Sequence, residues 1–162
     1  MHRVIGVLVC SVLAGGCAQS SAAPALAAAL SHVRTIAPDG HVVVAVDTVS
    51  TGEVEPREGS EAPDTSIVRA AANLAGFPAV RTHEAITCEA SGICRPNESI
   101  HGLVHVIDVL RLGADSMSVQ LRTLRFGRFG ADVYEQVDVV TVRRMPSAAD
   151  WRIYRIDNIS KS

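Results

Sequence analysis

HGLVHVIDVLRLGADSMSVQLRTLRFGRFGADVYEQVDVVTVRRMPSAADWRIYRIDNI, residues 101–159, decides the fold. It is rich in Val, Ile, Leu and Thr and is cut at intervals by turn chemistry. Gly113-Ala114-Asp115, Gly127-Arg128-Phe129-Gly130 and Pro146-Ser147-Ala148-Ala149-Asp150 divide it into four long strands: His101–Leu112, Ser116–Phe126, Ala131–Met145 and Trp151–Ile159. Short turns between consecutive strands make an antiparallel meander. The apolar face of the series switches between Leu121 and Leu124, as a β-bulge would produce.

Working outward, Val80–Cys88 reads as a further strand. Before it, Asp64 or Thr65 caps a helix whose apolar face is Ile67, Val68, Ala71, Leu74 and Ala75, and Gly76 with Pro78 stops it. Residues 50–64, STGEVEPREGSEAPD, hold five acids and one Arg and read as an exposed, flexible acidic loop. Residues 41–49, HVVVAVDTV, are apolar on both faces and read as a buried strand. An Ala-rich helix precedes it, opening at Pro24 with Leu26, Leu30 and Val33 at helical spacing. The expected fold class is α+β: two N-terminal helices packed on a curved, mainly antiparallel meander sheet of about five to six strands.

At 162 residues this is one domain, residues 24–162. Hydrophobic residues make up 48% and charged residues 20%, which excludes disorder over most of the chain. A formal charge of −2 and 4% aromatics give no footprint for nucleic acid. No cofactor motif is present: neither a phosphate-binding glycine loop, nor a Gly-x-Ser-x-Gly elbow, nor a calcium loop.

The N-terminus carries an address. Arg3 precedes an uncharged run, Val4–Ala14, of signal-peptide length and too short to span a bilayer. The run ends Leu13-Ala14-Gly15-Gly16-Cys17, and here residues 1–17 resemble bacterial lipoprotein precursors. The resemblance implies a signal peptide over 1–16, cleavage after Gly16, a lipid on Cys17 and a tether over 17–23. Ala18 after the cysteine implies the outer membrane, facing the periplasm. The alternative is an ordinary secretory signal cleaved near Ser20-Ser21-Ala22 and a soluble secreted protein. The order helix, strand, helix and long strands ending in Trp151-Arg152-Ile153-Tyr154 is also similar to small secreted cystatin-like and nuclear-transport-factor-like domains. No site residue is carried over from them.

Candidate chemistry is sparse. Cys88 and Cys94 bracket five residues with Ser91-Gly92 between them, which suits a local disulfide in an oxidising compartment. Zinc would need two further ligands, so no metal is expected. His83-Glu84-Ala85-Ile86-Thr87 begins like a zinc-peptidase motif but has Thr87 where the second His must stand. His101 and His105 on a strand lie roughly 13 Å apart, too far to share an ion. His83, His105 and Asp108 could line a pocket, catalytic or not, and Asp47 and Asp108 stand in apolar strands where a buried charge demands a partner such as Arg. Arg122, Arg125, Phe126, Arg128 and Phe129 form a basic, aromatic hairpin tip that could contact a partner, or one Phe could close the core there. The expected role is a non-catalytic binding or accessory domain, joined to the membrane by its lipid and recognising an envelope protein or small ligand. The alternatives are a small hydrolase- or isomerase-type enzyme using His83 or His105 with Asp108, and an assembly partner acting through the 122–129 hairpin.

Overall fold

The computed structural model describes residues 14–37, 41–47, 54–89, 94–97, 99–127, 133–147 and 150–161. Helix α1 (Ala14–Leu30) leads through the single turn α2 (Val33–Ile36) to strand β1 (Val42–Ala45). Helix α3 (Thr65–Ala75), the two-residue strand β2 (Ala79–Val80) and the turn α4 (Thr82–Ala85) follow. A small hairpin comes next, β3 (Ile86–Cys88) with β4 (Cys94–Pro96). The chain then runs back and forth as β5 (Gly102–Gly113), β6 (Ser116–Phe126), β7 (Val133–Arg144) and β8 (Trp151–Lys161).

The six-stranded main sheet has the order β2-β1-β5-β6-β7-β8. The meander β5–β8 is antiparallel, whereas β1 runs parallel to both β2 and β5. The sheet is therefore mixed, because the crossover through α3 brings the chain back to β2, and the excursion through α4 and the β3–β4 hairpin brings it back to β5, each time in the direction of β1. Val42, Val44, Val104, Val119, Leu121, Val140 and Val142 form one apolar face. Against it pack Ala25, Leu26, Ala29 and Leu30 of α1 and Val68, Ala71 and Ala72 of α3. The opposite face carries a smaller cluster, Val43, Ala45, Ala85, Ile100 and Leu103. β1 is thus buried on both sides, which is why its sequence shows no alternation.

Several expectations are corrected. Helix α1 does not open at Pro24 but contains it, and residues 17–23, expected as a tether, are helical. Ala22 at 8% exposure belongs to the core, so the helix is held from there by its small-residue face. In α3, Asp64 caps the helix by accepting the Ser66 N–H at 2.7 Å, and Gly76 closes it at φ 74°. Leu74, however, points to solvent at 65% exposure, and Ala72 takes its place in the core.

The expected strand Val80–Cys88 is broken into β2, α4 and β3. Two contacts override its strand pattern: the Asp47 carboxylate accepts from the Thr82 N–H and hydroxyl, both at 2.8 Å, and Glu84 reaches back to the Arg81 N–H at 2.8 Å. The described part of the acidic loop is not a free excursion either. Glu61 exchanges two backbone bonds with Val109, at 2.9 and 3.0 Å, and Arg57 reaches into the molecule. The bulge expected in the 121–124 region lies elsewhere. β6 pairs with β7 without interruption from Ser116 to Phe126, and the shifts fall in β5 and β8. Leu121 and Leu124 simply serve the two different apolar clusters.

Candidate functional site

Strict alternation along β5 would send His105 and Asp108 to opposite faces. The structure puts them on one. Val106 pairs with Leu121 and Asp108 with Gln120, leaving Ile107 as the extra residue of a bulge. His105 then stands opposite Arg122 and Asp108 opposite Gln120, all on the face turned away from α1 and α3.

The result is a buried polar layer. Asp108 is fully buried and Arg57 encloses its carboxylate: the Arg57 backbone N–H donates to Oδ2 at 2.7 Å, Nε donates to both oxygens at 3.0 and 3.2 Å, and Nη2 donates to Oδ1. The same guanidinium donates to the Ser118 hydroxyl at 2.6 Å and carbonyl at 3.1 Å. One strand over, Arg122 is bidentate to Glu135, with both bonds at 2.8 Å. Each cation of the layer therefore meets a carboxylate, as burial requires.

His105 lies at 4% exposure. Burial first, and the Arg122 charge second, push its pKa down to about 4 against the opposing pull of Asp47. The ring is accordingly neutral at physiological pH. Burial pushes the Asp47 carboxyl up, but its bonds from Thr82 outweigh that and hold it below the usual carboxylate range. Among the described residues, two buried side-chain atoms make no hydrogen bond: His105 Nδ1 and Gln120 Oε1. Asp108, saturated by Arg57, is not hydrogen-bonded to His105 and does not orient it as a catalytic carboxylate would. His83 stays out of the group, exposed on α4.

The helix side holds a cavity of about 360 Å³ between α1, the 59–64 segment, α3 and the β5–β6 hairpin. Leu26, Ile67, Val109 and Met117 make its apolar lining, and Glu61, Asp64 and Arg111 add polar groups. None of His83, His105 and Asp108 lines it. A polar knot on this side joins helix to sheet. Asp138, at 2% exposure, meets His32 Nε2 at 3.2 Å and accepts from Gln136 at 2.6 Å and Asn158 at 2.7 Å.

At the expected partner hairpin, Arg122 is committed to Glu135, Phe126 packs on the smaller cluster and Arg125 is exposed. Arg128 and Phe129 lie outside the described residues. Cys88 stands opposite Cys94 in the β3–β4 ladder. Cys17 falls within α1, and its side chain is outside what the structure describes. Among the described residues no group of three or more His, Cys, Asp or Glu could hold a metal, and no helix is long and apolar enough to cross a membrane.

Sequence reasoning missed Arg57. The sequence shows it as the one basic residue in an otherwise acidic loop, and shows Asp108 in an apolar strand that demands a cation, but nothing local joins the two. No protein-family model matches the chain, and neither does any curated protein or solved structure.

Proposed function

We propose that this chain is a lipid-anchored cell-envelope domain that binds a small amphipathic molecule between its helices and its sheet, without transforming it. The observation that supports binding is the cavity: about 360 Å³ falls in the ~300–1,000 Å³ range of small-molecule sites, and apolar walls with a few polar groups are their usual lining. The lipobox-like end at Cys17 supports the anchor, with the outer membrane as destination and a secreted soluble form as the alternative. The facing positions of Cys88 and Cys94 support a disulfide in that oxidising compartment.

Binding is favoured over catalysis because the polar layer is already satisfied. Asp108 is enclosed by Arg57, and a His105 with a pKa near 4 is a weak base at neutral pH. The enzyme reading keeps one supporting observation, the bulge that brings His105 and Asp108 to the same face. Native mass spectrometry of the protein purified from the envelope tests the proposal. A reproducible bound mass that disappears in Val109→Phe, which fills the cavity, is the expected result. A wild-type protein that carries nothing, and takes up no amphiphile from a panel of detergents and fatty acids, overturns it. The same spectrum reads the lipid on Cys17 and the two hydrogens lost to a Cys88–Cys94 bond.

A further inference from the structure

Among the described residues, strand β8 is the outer edge of the sheet, paired to β7 on one side and to no strand on the other. Such an edge presents unpaired backbone groups to any strand of matching character. β8 contains no proline, and its one lysine, Lys161, stands at its C-terminal end, away from Ile156. Three large apolar side chains are exposed along it, Tyr154 at 61%, Ile156 at 42% and Ile159 at 57%.

In the stretch Arg155-Ile156-Asp157, opposite charges flank an apolar centre, so it is complementary to itself when reversed. Laid antiparallel against a second copy about Ile156, it sets Arg155 against Asp157 and Ile156 against itself. Arg155 and Asp157 lie on the same face, opposite Thr141 and Val139 of β7, and Arg155 Nε already donates to Asp157 Oδ1 at 2.8 Å. A two-fold partner would convert that single pair into a four-membered charge square. We infer that this chain self-associates by antiparallel pairing of β8 with β8 of a second copy, the two-fold axis passing through Ile156 and joining two sheets into one. The contact is isologous: whatever one copy offers, the other offers in return.

Two features set its strength. Tyr154 and Ile159 are the extra residues of bulges against β7, so regular ladder geometry is confined to Arg155–Asn158 between them. Pairing over so short a stretch is weak and reversible. Tyr154 is meanwhile held by the Arg143 guanidinium, 3.6 Å from its ring centre.

Sedimentation velocity of the full chain, in whatever processed form the cell yields and in density-matched detergent, tests this over a concentration series. A reversible monomer–dimer equilibrium is expected. Ile156→Lys places two like charges at the axis and abolishes it. Arg155→Asp or Asp157→Arg alone turns both cross-copy pairs repulsive and weakens it about tenfold. The double swap R155D/D157R restores it. Circular dichroism of each variant separates lost pairing from lost fold, and all three positions are solvent-exposed or nearly so. A wild-type chain that is monomeric at every concentration overturns the inference. So does a dimer indifferent to I156K, or single charge variants that the double swap does not rescue.

Discussion

The two faces of the main sheet solve burial differently. Toward α1 and α3, Val, Leu and Ala interlock with a single polar knot at Asp138. Toward the other side, the centre of the sheet buries His105, Asp108, Ser118, Gln120 and Arg122, held by the Arg57–Asp108 and Arg122–Glu135 pairs. An apolar face tolerates sliding among similar neighbours, whereas a bidentate pair accepts one geometry. One face therefore contributes cohesion, and the other determines where the 57–61 segment lies against β5 and β6.

That contrast can be broken most severely at Arg57. Arg57→Ala leaves the fully buried Asp108 without its cation and lowers stability by about 3–5 kcal/mol, read by urea unfolding. Replacing Arg57 and Asp108 together by Leu recovers most of the loss. If single and double variants were equally damaged, the ionic face would not differ in kind from the apolar one. On the helix side, Leu30→Ala costs about 2–5 kcal/mol, with no rescue by any single partner change.

The pH response sharpens the distinction further. His105 has its folded pKa depressed from 6.5 to about 4, so the unfolded chain takes up its proton first as pH falls. Its contribution is complete above pH 6.5 and is lost between there and about pH 4, roughly 3 kcal/mol in all. His105→Gln removes that slope from the stability profile, and a slope that survives the substitution would assign it elsewhere. The smallest effect is at the helix boundary. Gly76→Ala forces a Cβ into φ 74° and to 2.7 Å from the movable end of Arg34, costing about 1–2 kcal/mol by thermal unfolding.

The long strands were legible because their signals are local. Ser116–Phe126 is found where turn residues and β-branched runs place it, and α3 starts and stops at its cap and its glycine. Short elements were not legible, since α4 exists because Asp47, thirty-five positions away, holds the Thr82 amide and hydroxyl. The demand for a cation beside Asp108 was readable from its apolar surroundings. Arg57 itself was not, because the contact spans fifty-one positions and a loop. The shared face of His105 and Asp108 hinged on one unpaired residue, Ile107, which periodicity cannot foresee. His83 was misplaced for a similar reason, as its strand became a helical turn.

The parallel seating of β1 beside β5 has a consequence in time. The meander closes short turns between neighbours, whereas Val42 pairs with Gly102 only after sixty residues of chain have been brought round. Sequence separation of this kind slows folding. A segment made earlier on the ribosome thus finds its place after strands made later. Until β5 arrives, β1 has only the two-residue β2 beside it and α1 only α3 against its apolar stripe, and this part of the nascent chain waits, half covered, as the part most open to proteases and to wrong neighbours.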